Sequence, residues 1–247
     1  MDAGRHLAYF VADVHLGLKS MDPREREARF VSFLKSIPRD ALALYLLGDI
    51  WDFWYEYRDV VPREGARVIA ELVNLVDAGV DVVFVPGNHD IWTYSYLQSL
   101  GIRKCGQPYS VSLGGRSFCL GHGDGLGGSG LGYKITNAIF KSRLLQSLFN
   151  TLHPWIAYRI AESWTESNRK RHEGYHFRGK DEPLYRFASS RTEDYCIFGH
   201  FHDGVDMPLD GGRRLVVLQD WIRGGRPHAV FDTRTATFSL VTSSHRI

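Results

Sequence analysis

The sequence contains only three cysteines among its 247 residues. Cys105, Cys119 and Cys196 are an odd number, lie far apart, and two of them fall in apolar runs that are typical of strands. This pattern excludes a small fold held together by disulfide bonds, and it lacks the paired spacing of a cysteine zinc site. We therefore predict three reduced, buried thiols, as in a cytoplasmic protein.

The sequence also has no long hydrophobic run and almost no excess of charge. No apolar stretch approaches the roughly 18 residues that a transmembrane helix needs. The short run from Leu7 to Ala12 ends at Asp13, so we expect no signal peptide. The net charge of +2 does not suggest a nucleic-acid partner. With 44% hydrophobic residues, the chain suits one α/β domain, or one domain with an insertion.

What the chain does have is a set of polar residues directly after strand-like runs. The apolar run from Val82 to Val85 stops at Pro86-Gly87 and is followed by Asn88, His89 and Asp90. Short apolar runs between turn residues indicate buried strands of an α/β sheet. Ligand groups in such sheets follow the carboxyl ends of strands. Taken alone, this segment is equally typical of an ordinary turn, which Asn and Asp favour.

The same arrangement recurs at four further strand-like runs. In an extended segment, residues i and i+2 face one side, so that two of them can reach one ion together. A single Asp in such a place is often a helix cap, and a single Asp-x-His arises by chance, but five occurrences favour a common site. The residues are Asp13 and His15 after Leu7 to Ala12, Asp49 after Ala41 to Leu47, His122 after Arg116 to Leu120, and His200 and His202 after Tyr195 to Phe198.

Carboxylate, imidazole and amide groups in this combination indicate a metal site. Such mixed ligands suit Mn²⁺, Fe or Zn²⁺, and the absence of thiolates disfavours a structural zinc site. Asn88 and the six residues that follow the other four runs make seven groups, which are too many for one ion and suit two ions that share a bridging carboxylate. A pair of ions about 3.5–4 Å apart can hold a phosphate group and activate water between them. The sequence thus predicts a dinuclear centre.

The segments between these runs predict how the chain is organised. Two amphipathic helices, Pro23 to Ser36 and Arg63 to Ala78, alternate with the first strands. Hairpins are indicated by the turn at Gly114-Gly115 and by the turn at 210–212. We predict a core domain at 1–126 and 190–247, and a helical cap inserted into it at 127–189.

The insertion is predicted to be helical over residues 133–171, with a new helix starting at His153-Pro154. Its first helix has two apolar stripes, of which the second is formed by Phe140, Leu144 and Leu148. A surface helix needs only one apolar face, so the second stripe is available to bind something apolar. The alternative is that this stripe packs against the next helix, at Ile156, Ile160 and Trp164.

These motifs resemble the signature of the calcineurin-like metallophosphoesterases, whose blocks occur here in the family's order across nearly the whole chain. The resemblance implies a hydrolase with an α/β fold, in which a sandwich of two β-sheets is flanked by helices and carries an inserted helical cap. It also implies a dinuclear centre at the edge of the sandwich. The matching blocks are Asp13-x-His15, Gly48-Asp49-x-x-Asp52, Gly87-Asn88-His89-Asp90, Gly121-His122 and Gly199-His200-x-His202.

By position, the resemblance implies roles for His89, for Asp52 and for the metal ligands. His89, oriented by Asp52, is the expected catalytic acid, which stabilises charge in the transition state or protonates the leaving oxygen. Both ions are expected to be divalent, with Mn²⁺ first and Fe or Zn²⁺ as alternatives. One ion takes Asp13, His15, Asp49 and His202, and the other takes Asp49, Asn88, His122 and His200, so that Asp49 bridges the two.

The insertion begins after His122-Gly123-Asp124-Gly125 and carries Arg159-Ile160-Ala161. In this it resembles a branch of the family, the enzymes that cleave UDP-2,3-diacylglucosamine in lipid A biosynthesis. That resemblance implies hydrolysis of the diphosphate to UMP and 2,3-diacylglucosamine 1-phosphate (lipid X). It also implies acyl chains held by the cap and a cytoplasmic protein bound peripherally to the inner membrane, with no nucleic acid and no obligate protein partner. The expected substrate-binding residues are Asn88, Asp124, Tyr133, Leu144, Leu148, Arg159, Ser167 and Lys170.

Two departures from this branch leave other functions open. Its best-known members have Arg where this chain has His89, and acidic residues where this chain has the glycines between Gly127 and Gly132. One alternative is a related metallophosphoesterase that acts on another nucleotide diphosphate or on a phosphodiester. A second alternative is a non-catalytic scaffold that has lost its metals, which is disfavoured because every ligand position is filled.

Overall fold

The computed structural model describes residues 4–19, 22–128, 130–172 and 175–243. The chain forms two compact units, of which the first comprises Met1–Asp124 and Arg191–Ile247 and the second is Gly125–Ser190. Among the residues described, the first unit contains two β-sheets and three α-helices, and the second unit is helical.

The first sheet carries most of the early part of the chain. Its strands are β1 (Leu7–Val11), β2 (Ala43–Leu46), β3 (Asp81–Phe84), β4 (Arg103–Lys104), β10 (His228–Asp232) and β11 (Thr237–Val241). They lie in the order β11-β10-β1-β2-β3-β4. Neighbours from β1 to β4 are parallel, whereas β10 is antiparallel to both β1 and β11. Parallel neighbours require crossover connections, which the predicted helices between the strands provide.

The second sheet has five strands, β5 (Tyr109–Leu113), β6 (Arg116–Leu120), β7 (Tyr195–Phe198), β8 (Val205–Pro208) and β9 (Arg214–Val217). They lie in the order β5-β6-β7-β9-β8. Strands β6, β7 and β9 are parallel neighbours. Both predicted hairpins are confirmed, since β5 pairs with β6 and β8 pairs with β9 in antiparallel register.

Helix α1 (Pro23–Ser36) has the predicted bounds. The carboxylate of Asp22 accepts hydrogen bonds from the backbone N–H groups of Arg24 (3.0 Å) and Glu25 (3.2 Å), which satisfies two donors that have no partner within the helix. Helix α2 (Ala66–Asp77) begins later than the predicted Arg63, because Gly65 takes a left-handed conformation with φ of 79° just before it. A single turn, α3 (Tyr96–Ser99), follows β3.

Side chains alternate across the first sheet and so contribute to two cores. On one face the sheet packs against α1 and α2, with Val11, Leu44 and Phe84 meeting residues such as Phe30 and Leu72. The core on the other face lies between the two sheets, and its members include Phe10, Tyr45, Phe118 and Val216. The predicted sandwich of two sheets flanked by helices is therefore confirmed.

The second unit contains α4 (Leu131–Lys141), α5 (Arg143–Phe149), α6 (Pro154–His172) and α7 (Pro183–Ser190). The prediction of one continuous first helix was wrong. Ser142 has extended backbone angles (φ −67°, ψ 113°), and its hydroxyl accepts a hydrogen bond from the N–H of Leu145 as the cap of α5. Phe140 therefore belongs to α4, whereas Leu144 and Leu148 belong to α5. No helix in the described part of the chain is long and apolar enough to cross a membrane.

Candidate metal centre

The candidate site lies where the carboxyl ends of parallel strands from both sheets meet. Asp13, Asp49 and Asn88 follow β1, β2 and β3 of the first sheet, and His122 and His200 follow β6 and β7 of the second. The backbone N–H of His200 donates to Oδ2 of Asp13 at 3.0 Å, which ties the two sheets together at this edge. Five segments that are distant in sequence thus contribute to one site.

One group of possible ligands consists of Asp13, His15 and His202. Nε2 of His202 lies 3.2 Å from Oδ1 of Asp13, and Nε2 of His15 lies 3.9 Å from the same oxygen. The three ligand atoms lie within 4.8 Å of one another. Asp13 and His15 are buried, while His202 is partly exposed. The spacing allows the three side chains to hold one cation.

A second group forms around Asp49 and His122. Oδ2 of Asp49 lies 3.3 Å from Nε2 of His122, and this nitrogen is 3.1 Å from Oδ1 of Asn88. The ring of His200 is centred 5.1 Å from that of His122, and burial together with the nearby His122 lowers the pKa of His200 to about 4. Oδ2 of Asp49 also lies 4.0 Å from Nε2 of His15. One carboxylate oxygen therefore faces both groups, as a bridging ligand must.

In two of the imidazole rings, the nitrogen that points away from the centre has a hydrogen-bond acceptor. Nδ1 of His15 lies 3.1 Å from Oδ1 of Asp52, and Nδ1 of His122 lies 3.0 Å from the carbonyl oxygen of Leu47. An acceptor behind the ring selects the tautomer that carries its hydrogen on Nδ1, and this leaves the lone pair of Nε2 for the centre. Hydrogen bonds of this kind are typical of histidines that bind metals.

The residues fit a pair of divalent cations. Nε2 of His15 is buried and has no hydrogen-bond partner among the described residues. Leaving such a nitrogen unsatisfied lowers the stability of a fold by about 1–3 kcal/mol. Within the same part of the chain, Asp13 and Asp49 form ion pairs with histidines alone. Cations in the centre would satisfy the nitrogen and compensate both buried carboxylates.

The two buried carboxylates stay ionised because imidazoles surround them. Burial raises the pKa of Asp13, but His202 and His122 outweigh it, and the pKa falls below its usual value. Burial also raises the pKa of Asp49, and here His122 and His89 bring it well below the usual value. Burial lowers the pKa of His122, yet Asp49 outweighs it and the pKa rises well above that of a free histidine. Both carboxylates thus stay ionised at neutral pH in the metal-free centre.

The backbone is strained at the same place. Left-handed φ angles cost a residue other than glycine about 1–2 kcal/mol and persist where the surroundings enforce them. Outside the centre, only Asp22 and Ala236 show such angles among the described residues that are not glycine. Strain concentrated in this way is typical of functional sites. The strained candidate ligands are Asp13 (φ 55°), His15 (51°), Asp49 (53°), His200 (73°) and His202 (65°).

Two glycines of the motifs lie directly against the carboxylates. A Cβ atom at Gly87 would collide with Oδ1 of Asp49, and a Cβ atom at Gly199 would lie 2.5 Å from Oδ2 of Asp13. Any side chain at either position would displace a ligand. These glycines therefore permit the close approach of the loops that follow β3 and β7.

His89, the expected catalytic acid, lies at the edge of the centre and is partly exposed. Its Nε2 is 3.8 Å from Oδ2 of Asp49, and its Nδ1 is 2.8 Å from the carbonyl oxygen of Asp52. The carboxylate of Asp52 lies nearer to Nδ1 of His15 (3.1 Å) than to Nδ1 of His89 (3.9 Å). The main-chain carbonyl of Asp52 thus contacts His89, whereas the side chain of Asp52 contacts His15. The sequence does not reveal that Asp52 has two partners.

Asp90 is a residue for which the sequence suggested no role. It is fully buried, and its carboxylate accepts hydrogen bonds from the backbone N–H groups of Gly87 (2.7 Å), Ile50 (2.8 Å) and Asp49 (3.2 Å). Burial and the nearby Asp49 raise the pKa of Asp90 to about 7. The side chain joins the loops that follow β2 and β3, and so fixes the spacing of Asp49 and Asn88.

A family model described as calcineurin-like phosphoesterase matches residues 8–204, a span that includes every residue of both ligand groups. The chain belongs to the calcineurin-like phosphoesterase family. The family confirms the predicted class of enzyme, a phosphoesterase and hydrolase, together with the predicted fold.

Relatives of this phosphoesterase include two proteins named UDP-2,3-diacylglucosamine hydrolase. The protein from Porphyromonas gingivalis is 36% identical over 252 residues, which cover 94% of this chain and 96% of the relative. The protein from Stenotrophomonas maltophilia is 30% identical over 237 residues, covering 87% and 91%. Among solved structures, a dimetal phosphatase from Danio rerio is 16% identical with a TM-score of 0.46, covering 91% of this chain and 92% of that one.

Asp124, one of the expected substrate-binding residues, is held by a residue that the sequence did not single out. Nε2 of Gln107 donates to Oδ1 of Asp124 at 2.6 Å, and Oε1 of Gln107 accepts from the N–H of Gly123 at 2.9 Å. Gln107 thus fixes the segment of the phosphoesterase that follows His122. No local pattern marks Gln107, because its partners lie 16 and 17 residues further along the chain.

The remaining expected residues belong to the second unit of the phosphoesterase. The side chains of Leu144 and Leu148 are 70% and 58% exposed, so they are not buried against α6 as the alternative interpretation required. Arg159 lies over the ring of Trp155, with 5.3 Å between its guanidinium carbon and the ring centre. The backbone of Tyr133, Trp164, Ser167 and Lys170 is described, but their side chains lie outside the described part of the structure.

Proposed function

We propose that this phosphoesterase hydrolyses the diphosphate of UDP-2,3-diacylglucosamine and releases UMP and 2,3-diacylglucosamine 1-phosphate. The observation that carries the chemistry is the pair of ligand groups that share Asp49. The substrate is taken from the relatives, and the alignment with the Porphyromonas gingivalis protein covers 94% of this chain, so it includes most of the inserted helices.

The metal centre would hold two divalent ions. Its oxygen and imidazole donors, without thiolate, suit Mn²⁺, Fe or Zn²⁺, and Mn²⁺ is the proposed physiological ion because the branch of the family that the chain resembles typically uses it. Such ions supply Lewis acidity, which neutralises the charge of the diphosphate and favours attack by water at neutral pH. Asp49 lies between the two sets of ligands. The first set is Asp13, His15 and His202, and the second is Asn88, His122 and His200.

His89 acts as the general acid. Its Nδ1 is occupied by the carbonyl oxygen of Asp52 at 2.8 Å, so Nε2 is the nitrogen that faces the centre. Water forms a bond to one phosphorus, the bridging phosphorus–oxygen bond breaks, and the leaving oxygen takes the proton from Nε2 of His89. The proton lost by the water restores the imidazolium. The carboxylates of Asp49 and Asp52 lie 3.8 Å and 3.9 Å from the two ring nitrogens of His89.

The cap of this enzyme binds the acyl chains. Leu144 and Leu148 on α5, and Trp155 and Ile160 on α6, are all at least half exposed, so both helices leave large apolar side chains uncovered. Exposed apolar surface of this kind marks sites that bind lipids or partners. Each methylene that moves from water into an apolar site contributes about 0.8 kcal/mol, so such a surface can bind two acyl chains strongly. Arg159 on α6 supplies a cation for the polar part of the substrate.

The substrate also implies the place of action. A diacylated sugar nucleotide remains in a bilayer, so the enzyme acts as a peripheral protein at the cytoplasmic surface of the inner membrane. Exposed Trp and Leu side chains are the residue types that enter the boundary between headgroups and acyl chains. The apolar residues of α5 and α6 thus have a second use, as the part of the enzyme that contacts the bilayer.

Phosphorus-31 NMR tests the proposal. Purified protein with added Mn²⁺ is mixed with UDP-2,3-diacylglucosamine in detergent micelles, and the two diphosphate resonances should be replaced by those of UMP and a sugar phosphate in equal amounts. Asp49→Asn should abolish the reaction, whereas Asp232→Asn, at the end of β10, should not. Hydrolysis of a soluble nucleotide diphosphate or phosphodiester, with the lipid left intact, would establish the alternative function instead.

A further inference from the structure

A sixth parallel strand end reaches the metal centre, in addition to the five that the motifs mark. Strand β9 pairs with β7 in parallel register, and the backbone N–H of Leu218 donates to the carbonyl oxygen of Phe198 at 2.7 Å. The chain then continues past the edge of the sheet to Asp220, whose side chain is almost completely buried. No motif of the family signature quoted above includes Asp220.

The segment around Asp220 is firmly anchored. The backbone N–H of Trp221 donates to the carbonyl oxygen of Asp13 at 3.0 Å, so this segment and the loop after β1 are directly joined. The Trp221 ring is fully buried and packs against Phe30 and Phe33 of α1. Arg29 donates from Nη2 to the carbonyl oxygen of Trp221 at 3.0 Å. The position of Asp220 relative to Asp13 is therefore fixed by the core.

The two oxygens of Asp220 face different partners. Oδ1 accepts hydrogen bonds from the backbone N–H groups of Ile222 (2.7 Å) and Arg223 (3.3 Å), which closes a turn. Oδ2 lies 3.9 Å from Nδ1 of His202. On the other side of that ring, Nε2 lies 3.2 Å from Oδ1 of Asp13. The imidazole of His202 is thus placed between a carboxylate of the centre and a carboxylate behind it.

His15 also has a carboxylate behind its ring, at a shorter distance. Its Nε2 faces Asp13 and Asp49, and its Nδ1 is 3.1 Å from the carboxylate of Asp52. Carboxylates behind metal-binding histidines fix the ring and increase the basicity of the ligand nitrogen, and their loss typically costs about 10- to 100-fold in metal affinity. The two histidines of one ligand group therefore each have a carboxylate on the side away from the centre.

We propose that Asp220 is a positioning residue for His202, which it orients and makes a stronger ligand for the ion held with Asp13 and His15. The inference rests on the proposed metal centre and adds a residue from the strand end that the motifs do not mark. Asp220 itself contacts neither the ion nor the substrate, and it acts through the ring of His202.

The substitution Asp220→Asn separates this role from a structural one. The amide oxygen of Asn can still accept the N–H groups of Ile222 and Arg223, so the turn is preserved, while the charge beside His202 is removed. Asp232→Asn is the matched control, because Oδ1 of Asp232 accepts the N–H of Arg234 at 2.8 Å in a turn of the same kind. If Asp220→Asn unfolds more readily than the control without metal, Asp220→Ser replaces it, since a hydroxyl also accepts from such a turn.

The measurement is calorimetric titration of the metal-free proteins with Mn²⁺, followed by turnover at rising Mn²⁺. The natural sequence and the control should bind two ions, and Asp220→Asn should bind one of them about 10- to 100-fold more weakly. Its turnover should recover as Mn²⁺ saturates, because the reacting groups are unchanged. Equal affinities in all three proteins would overturn the role of Asp220. Absence of Mn²⁺ binding by the natural sequence would instead overturn the metal centre itself.

Discussion

Nε2 of His122 lies 3.3 Å from Oδ2 of Asp49, although the two residues belong to different sheets. Asp49 follows β2 of the six-stranded sheet, and His122 follows β6 of the five-stranded sheet. Each ligand group contains residues from both sheets, so the centre exists only when the sheets pack against each other. Metal binding should therefore stabilise the packed sandwich.

The first prediction separates metal ligands from the catalytic acid. Asp49→Ala removes the carboxylate that faces both groups, so metal content and turnover should fall together. His89→Ala should keep both ions and lose about 10²- to 10⁴-fold in kcat, because a general acid acts only in the transition state. Elemental analysis and steady-state kinetics on the same preparations provide both readouts.

The control for this pair is His6→Ala, which removes a histidine near the start of β1 and should change neither quantity. If His89→Ala loses its metal as completely as Asp49→Ala does, His89 is a ligand and the assignment of roles is wrong.

The second prediction concerns backbone strain at His200. Its φ of 73° favours glycine, so the metal-free His200→Gly protein should be more stable than His200→Ala by about 1 kcal/mol. Both variants lose the ring, and only the backbone preference differs. Urea unfolding measures the difference. At His228 within β10 the order should reverse, because glycine weakens a strand. An alanine variant at 200 as stable as the glycine variant would show that the strain is absent.

The third prediction concerns the cap. Replacing Leu144 and Leu148 with Ser should raise KM for the diacylated substrate severely and leave hydrolysis of a small aryl phosphodiester nearly unchanged. Val241→Ser, which removes an exposed apolar side chain from β11, is the control and should affect neither substrate. Circular dichroism checks that the helices persist. Equal losses on both substrates would indicate a packing defect, and no loss on either would remove the support for lipid binding by α5.

The fourth prediction concerns pH and the stability of the second sheet. Glu193 accepts hydrogen bonds from Nε of Arg191 (3.0 Å) and from the Ser110 hydroxyl (2.8 Å), and Arg191 outweighs burial in lowering the pKa of Glu193 from 4.5 to about 2. The folded pKa is below the unfolded one, so ionised Glu193 stabilises the fold above pH 4.5, and this contribution is lost as the pH falls towards about 2. Glu193→Gln should therefore cost about 2 kcal/mol near neutral pH and progressively less in acid.

Urea unfolding at a series of pH values measures this dependence. Glu25→Gln is the matched control, since Glu25 pairs with Arg29 on the exposed face of α1 and should cost no more than about 0.5 kcal/mol. A cost for Glu193→Gln that stays constant down to pH 3 would contradict the lowered pKa.

The candidate ligands could be proposed from the sequence because each follows its strand within a few residues. The run before Asn88 and the run before His200 are short, apolar and bounded by glycine, so both strand and ligand are local features. The bounds of α1 could be predicted for the same reason, since Pro23 marks its start. Neither the order of strands nor the pairing of β7 with β9 follows from such patterns, because they depend on contacts between distant segments.

The residues that support the ligands were harder to find. Asp90, Gln107 and Asp220 act through backbone or side-chain contacts that only the fold creates. The break at Ser142 was missed because apolar residues continue with helical spacing on both sides of it. Propensity alone could not show that the chain is extended at this one residue.

The most direct test of the account is the metal content of the purified protein, measured together with its activity. We expect two divalent ions per chain by elemental analysis, loss of turnover on UDP-2,3-diacylglucosamine in parallel with their removal by EDTA, and recovery when Mn²⁺ is returned. The account places both ions on ligands that converge on Asp49, so no turnover should remain without them. Full activity in thoroughly chelated protein, with metal content near zero, would contradict it.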